Sequence, residues 1–360
     1  MAARIAVVGA GAIGSVVAWR LARAGAPVLL AGRGPHLAAI GAAGLRYTDA
    51  ATDERRSIAV AEVGPALKEH GPCDTVFVAV KAQDVRGALE AAAPLVGDQT
   101  TVVALLNGLP WWLSSEPIEA VDPGGGLWRA LPAPRVIGAV VHLGAEVVSP
   151  GWVRQAGDNR LTLGELDGAT SPRVQALAAL LDTGGLPTRV HPAIRDEVWT
   201  KLVGNLSTNP LSVVTAATLD RLFGEPGLRA VVKEVMLETM TLGASLGVRF
   251  PLDAEARIRV GQRLGAFRTS MLQDFERGRP LELGAIADAP LELAARLQVP
   301  MPTTMLVRDL ARAAEHSRDL ARTAEHSRDL ARAAERSRDL RRAAEGSTAP
   351  GTSSSRERHA

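Results

Sequence analysis

An α/β domain built on a parallel sheet, followed by an all-helical domain, is the fold class this sequence predicts. Short β-branched apolar runs alternate with small-residue helical stretches in the first half, and after about Asp167 the texture turns to long alanine- and leucine-rich helical segments. A chain of 360 residues is also too long for one ordinary core and suits two domains plus an appendage.

The elements follow in order. Residues 4–8, Arg4-Ile5-Ala6-Val7-Val8, read as a first strand; a glycine-rich turn follows, and residues 12–23 read as a helix rich in small side chains. Residues 27–31, 74–80 and 101–106 give three more buried strands, and continuous apolar strands of this kind belong in a parallel sheet covered on both faces. A helix opens near Pro192. From there to about Val307 the pattern is helical throughout, with turns at Gly224-Glu225-Pro226, Gly247-Val248-Arg249-Phe250-Pro251 and Gly278-Arg279-Pro280. The decapeptide Arg308-Asp309-Leu310-Ala311-Arg312-Ala313-Ala314-Glu315-His316-Ser317 then recurs three more times with small changes. At about 100° per residue, ten residues fall about 80° short of three turns, so the leucines wind around the helix and make no straight seam. A solvated, charge-laced helix is the favoured reading of the repeats and a weak interaction arm the other. The expected division is residues 1–191, residues 192–307, a repeat helix over 308–347 and a disordered tail over 348–360.

Composition narrows the function. Lys plus Arg number 41 against 39 Asp plus Glu, and the net charge of +2 supplies no strong field for nucleic acid or an anionic membrane. A small-molecule partner is the default. The single cysteine, Cys73, forms no internal disulfide, no Cys/His cluster has metal-site spacing, and no apolar run approaches the length of a membrane span. A cytoplasmic protein without a metal is expected, and its alanine- and leucine-rich second domain offers a surface for a homodimer.

Gly9-Ala10-Gly11-Ala12-Ile13-Gly14 is a complete G-x-G-x-x-G between a strand and a helix. The first glycine allows the tight turn, the second lets backbone approach a pyrophosphate, and the third permits close helix-to-strand packing, while the helix N-terminus offers N–H groups to phosphates. This is the signature of a Rossmann dinucleotide-binding domain. Where an NAD enzyme places an acidic residue at the end of the second strand, this chain has Gly32-Arg33-Gly34. Arg33 suits a 2′-phosphate, so NADPH/NADP+ is the expected cofactor; a solvated loop arginine is the other reading. Lys81 and Asn107-Gly108 follow the third and fourth strands, at the sheet edge where ligands bind in open parallel sheets.

In the second half, Lys201, Asn205 and Asn209 recur every four residues and share one helix face. They form either a solvated stripe or a cradle for a keto acid. Pro210 disfavours helical geometry at Asn209 and predicts a helix end or kink there. Gly278 ends one helix, Pro280 begins the next, and Glu282 falls in its first turn, where capping is the simple explanation of a carboxylate.

Taken together, these residues resemble ketopantoate reductase, also called 2-dehydropantoate 2-reductase, over roughly residues 4–307. The resemblance rests on Gly9-x-Gly11-x-x-Gly14, Val80-Lys81-Ala82, Asn107-Gly108, Trp199-x-Lys201-x-x-x-Asn205-x-x-x-Asn209-Pro210, and Ser270-Met271-Leu272-Gln273-Asp274 with Glu282 behind it. It implies a Rossmann domain followed by a helical domain of the 6-phosphogluconate-dehydrogenase-like kind. The implied activity is NADPH-dependent reduction of 2-dehydropantoate to pantoate, a step toward pantothenate and coenzyme A. The resemblance also implies that Lys201 is the general acid and that Asn107, Asn205, Asn209 and Ser270 hold the substrate. Lys81 and Asn107 would touch cofactor and substrate alike, Glu282 would help bind cofactor and, close to the reacting oxygen, count with Lys201 as catalytic, and backbone near Ala145 would contact cofactor. An ordinary lysine is protonated at neutral pH, so no large pKa shift is required of Lys201.

Departures bear on the substrate. Where the family carries a further asparagine about ten residues beyond the Asn-Pro step, this chain has Thr218 nearby, and after Glu282 it reads Gly284 and Asp288. Trp111-Trp112 either narrows the cleft or belongs to core or interface. The histidines, among them His36, His142 and His191, fit no triad or metal spacing. Reduction of another small 2-keto acid, and NADP binding without catalysis by an interaction protein, are the competing readings.

Overall fold

The computed structural model of the chain describes residues 3–346, so the tail expected over 348–360 lies outside the described residues. Residues up to Ala311 make one compact unit, and the chain from Arg312 makes another.

The first strand is β1 (Ile5–Val8), every residue of it buried, and α1 (Ala12–Arg23) follows directly. Next come β2 (Val28–Gly32), α2 (Pro35–Ala43), β3 (Leu45–Thr48), β4 (Asp53–Arg56) and β5 (Ala59–Glu62). The chain continues through β6 (Thr75–Val78), α3 (Val85–Ala91), β7 (Thr101–Ala104) and α4 (Gly126–Ala130). A long hairpin of β8 (Val136–Ser149) and β9 (Trp152–Glu165) leads to α5 (Pro172–Thr183) and β10 (Thr188–Val190). All strands join one 10-stranded sheet in the order β4-β3-β9-β8-β7-β6-β1-β2-β5, with β10 beside β9.

The core of this sheet is parallel: β1 lies between β2 and β6, β7 beyond β6 and β5 beyond β2. An all-parallel sheet is nevertheless the wrong expectation, because β8 runs antiparallel to β9 and β3 to β4. Glycines dilute the apolar pattern of the hairpin and hide it from periodicity. They are there for packing: a Cβ on Gly138 would meet Ile194 and Trp112 at 2.9–3.2 Å, and one on Gly164 would lie 2.4 Å from the His191 carbonyl oxygen.

Ile194 opens α6 (Ile194–Thr215), so the two glycines seat the first long helix of the second lobe directly on the hairpin. The helices α7 (Leu219–Gly224), α8 (Pro226–Ser245), α9 (Ala254–Gln262), α10 (Ser270–Glu276) and α11 (Ala289–Arg296) complete the lobe, with a π-helical turn over Gly284–Asp288. The repeats lie in α12 (Pro302–Gly346), whose first turn is capped by buried Glu238 accepting from the backbone N–H of Thr303 and Thr304, each at 2.8 Å.

Pro210 does not end α6, so of the helix end or kink that the sequence suggests the end is excluded. It lies inside the helix, and Asn209 with it. The flanking Leu206, Leu211 and Val213 are buried against neighbouring helices, and this packing offsets the missing N–H of the proline. Trp111 and Trp112 are buried core residues and do not line an open cleft. Among the described residues no helix is long and apolar enough to cross a membrane.

Candidate active site

Four N-terminal candidate sites lie at one edge of the sheet, because β1, β2, β6 and β7 are parallel and their carboxyl ends coincide. Gly9 follows β1, Arg33 follows β2, Lys81 lies just past β6 and Asn107 just past β7.

The glycine turn fits a dinucleotide. At Gly9, with φ +112°, a Cβ would lie 2.4 Å from the Ala79 carbonyl oxygen, and at Gly14 one would lie 1.9 Å from the Gly9 carbonyl oxygen. Those two glycines are required by the fold itself. A Cβ on Gly11 would meet nothing within 4 Å, so the space over the turn is open at the N-terminus of α1, where the first-turn N–H groups have no intrahelical acceptor. Ala10, Ala12 and Ile13 complete this cradle, and Ala10 packs so closely on Gly32 that a Cβ there would lie 2.7 Å from its own. The expected contrast is sharp. Gly14→Ala destabilises the fold by about 3 kcal/mol through overpacking, whereas Gly11→Ala leaves the melting temperature nearly unchanged and raises the KM for NADPH about tenfold or more; melting curves and NADPH titration separate the two.

Arg33 is exposed at the end of β2, beside Gly34. If it pairs with a 2′-phosphate, Arg33→Asp raises the KM for NADPH about 10- to 100-fold and leaves that for NADH little changed, the range expected for charge-assisted hydrogen bonds. Equal losses with both nucleotides would refute that pairing. Ala145 lies on β8 just past Gly144, where the hairpin register shifts.

Lys201, on α6, reaches back to the first lobe. Its Nζ donates to the Asn107 Oδ1 at 2.8 Å and to the Val141 carbonyl oxygen on β8 at 2.6 Å. Asn107 in turn donates through Nδ2 to Glu282 Oε2 at 3.3 Å. That same Glu282 oxygen accepts from Lys81 Nζ at 3.0 Å, while Oε1 accepts from the Ala82 backbone N–H at 3.2 Å. Lys81 Nζ also donates to Asp274 Oδ2 at 2.5 Å. A single hydrogen-bonded chain therefore runs from Asp274 and Lys81 through Glu282 and Asn107 to Lys201, crossing between the two lobes. The Asn107-Gly108 turn is pinned there as well: a Cβ on Gly108 would lie 2.4 Å from the Ala285 carbonyl, which accepts from the Leu109 N–H at 2.8 Å.

Glu282 is not a helix cap, as the sequence suggested. The helical conformation starts at Leu283, after it, and its buried carboxylate turns to Lys81, Ala82 and Asn107.

The electrostatics differ for the two lysines. Burial would lower the Lys81 ammonium, but Glu282 and Asp274 outweigh it and hold that group above its ordinary value. Burial strips Lys201 of water and pulls it down to about 8, with Glu282 opposing the fall. The large shift was not anticipated from the sequence. His142, next along β8 from Val141, is also affected: burial, then the charges of Lys201 and Arg160, push its imidazole down to about 4, so it is neutral near pH 7. Sequence spacing gave no sign of it, because the link is a strand pairing and not a motif.

The remaining candidates divide. Asn209 is buried, and its Nδ2 has no hydrogen-bond partner among protein atoms, an orphaned donor on the helix face that carries Lys201. Asn205 is half-buried on the same helix, and Ser270 is exposed in the first turn of α10. Thr218 donates to Asp220 Oδ1 at 2.5 Å, a local contact.

Comparison with known proteins agrees with this layout. The family model described as Ketopantoate reductase PanE/ApbA matches residues 5–168, and its C-terminal companion matches residues 193–315. The 2-dehydropantoate 2-reductase of Mesorhizobium japonicum is 42% identical over 318 residues, 86% of this chain and 97% of that protein. A crystal structure from Ralstonia solanacearum MolK2 has a TM-score of 0.83 at 38% identity, covering 89% of this chain and 99% of the other. That of 2-dehydropantoate 2-reductase from Geobacter metallireducens has a TM-score of 0.77 at 29% identity, covering 86% and 99%. Both lobes and nearly the whole length of a close relative are matched in order, and on that ground the chain belongs to the ketopantoate reductase family.

Proposed function

We propose that this protein reduces 2-dehydropantoate to pantoate with NADPH. The observation that carries the reading is the Lys201 ammonium, held by Asn107 and Val141 where the helical lobe meets the sheet edge of the glycine turn. In this reading residues 1–191 hold the dinucleotide, through Gly9 to Gly14, Arg33, Lys81, Asn107 and Ala145, and Glu282 joins them from the helical lobe. Residues 192–307 supply Lys201, and Asn205, Asn209 and Ser270 hold the substrate's carboxylate and hydroxyl groups. NADPH, when bound, supplies hydride to the C2 carbonyl carbon.

The chain's own residues manage the charge. Negative charge builds on the ketone oxygen as the carbonyl is reduced, and the Lys201 ammonium stabilises it and donates the proton that completes the hydroxyl. With a pKa of about 8, Lys201 is mostly protonated at neutral pH yet a stronger acid than a solvated lysine. Asn107 fixes the direction of the Nζ, and Glu282 keeps enough negative charge nearby for the ammonium to survive its burial. Asn209 contributes a donor whose buried, unpaired state suits a polar substrate atom.

Loss of NADPH absorbance with a panel of keto acids tests the reading. Rapid loss with 2-dehydropantoate is expected. Loss only with other 2-keto acids would favour the second reading, for which Thr218, turned to Asp220, is the specific motive. Binding of NADPH without turnover of any of them would leave an NADP-binding protein. The reading places the enzyme in the cytoplasm and allows a homodimer, for which exposed Val260, Leu264 and Phe267 of the helical lobe are the candidate apolar surface; if they form it, sedimentation equilibrium of Phe267→Glu yields monomer where wild type yields dimer.

A further inference from the structure

Lys81 has two buried carboxylates for partners, and only Glu282 belongs to the motif roles already assigned. The shorter contact is to the other: Asp274 Oδ2 lies 2.5 Å from Lys81 Nζ, against 3.0 Å for Glu282 Oε2. Asp274 comes from α10 in the helical lobe, is 6% exposed, and has Arg279 Nη1 at 3.6 Å from its other oxygen. An aspartate so placed is not a surface ion pair, whose contribution would be small. Its carboxylate is buried and is paired with Lys81 and, at longer range, with Arg279, so removal of a partner is felt more than at the surface.

The geometry points to Asp274 as a positioning residue for NADPH binding: it holds the Lys81 ammonium at the carboxyl end of β6, so that Glu282 is not drawn wholly onto Lys81 and stays shared with Asn107. The inference rests on the proposed dinucleotide site. Its physical basis is charge division. Glu282 Oε2 accepts from both Lys81 and Asn107, and Asn107 orients Lys201. With Asp274 neutral, the Lys81 ammonium has one carboxylate left, moves toward it, and leaves the position from which it meets the cofactor. A flexible lysine needs such restraint more than an arginine would, since its ammonium is a point charge on four rotatable methylenes.

The test is steady-state kinetics of NADPH oxidation with 2-dehydropantoate. Asp274→Asn is expected to raise the KM for NADPH about tenfold, roughly the range of one charge-assisted hydrogen bond, while kcat falls less than about threefold. A purely structural role would instead lower the melting temperature and the active fraction, reducing kcat with KM intact, and that result overturns the proposal. Asp274→Glu, which keeps the charge, is expected to restore most of the affinity. The double variant Lys81→Met with Asp274→Asn leaves Glu282 without its ammonium just as Lys81→Met alone does, so these two variants differ only at Asp274 and decide the matter even if Asp274→Asn alone does not fold. A KM equal to that of Lys81→Met alone supports action through Lys81, and a further rise contradicts it. Wild-type protein that turns over no 2-keto acid would fail the functional reading itself, a result distinct from any of these.

Discussion

Lys201→Ala is expected to lower kcat at least about 10,000-fold, with NADPH binding nearly intact. The size follows from two roles that the side chain combines. In the proposed reaction its ammonium both stabilises the negative charge that develops on the substrate oxygen and donates the proton, and each role alone is commonly worth about two to three orders of magnitude. NADPH affinity is spared because the contacts of Lys201 are to Asn107 and Val141, while the glycine turn and Arg33 lie at the ends of other strands. Fluorescence titration with NADPH and single-turnover rates separate the two quantities. Turnover within tenfold of wild type would remove Lys201 from the acid's role.

Glu282→Gln is expected to cost about 100-fold in kcat/KM, and the variant is informative because it keeps the shape. The amide still offers an acceptor to the Ala82 N–H, but the charge that Lys81 and Lys201 feel is gone. Among the described residues Glu282 is the charge that raises the Lys201 pKa, so its removal lets burial act and the pKa falls below about 8. The alkaline limb of the rate profile must therefore move toward lower pH. A variant with reduced activity and an unmoved limb would show that Glu282 serves the cofactor only.

Much of this site is legible in the sequence because it is written in local patterns. The turn from Gly9 to Gly14 is a fixed spacing imposed by close approach, and the structure places Gly9 and Gly14 where no side chain fits. Lys81 and Asn107 follow apolar runs, and a parallel sheet collects the ends of such runs at one edge. The helical period alone put Lys201, Asn205 and Asn209 on a common face.

What escaped the sequence depends on partners far apart in the chain. The β8–β9 hairpin is broken up by Gly138 and Gly164, whose smallness matters only once Ile194 packs on them. Pro210 signals a helix end locally, and burial of its neighbours overrides it. Glu282 looks like a cap until a lysine 201 positions earlier is brought to it. The depressed pKa of Lys201 arises from burial by both lobes, which no stretch of sequence encodes. That burial costs the folded protein about 3 kcal/mol at neutral pH, given an ordinary lysine value of 10.5 and a value here of about 8. The cost is felt in full below pH 8 and is relieved as pH rises toward 10.5. A fold that keeps such a charge gains a strong, well-aimed acid by it.

The most direct measurement is the pH dependence of kcat/KM for NADPH-driven reduction of 2-dehydropantoate, which reports the free enzyme's acid. A plateau through neutral pH is expected, with a tenfold fall per unit once the buried ammonium deprotonates above about 8. A rate that stays level to about pH 10, where an ordinary solvated lysine titrates, or that rises with pH, would contradict the assignment of Lys201 as the proton donor.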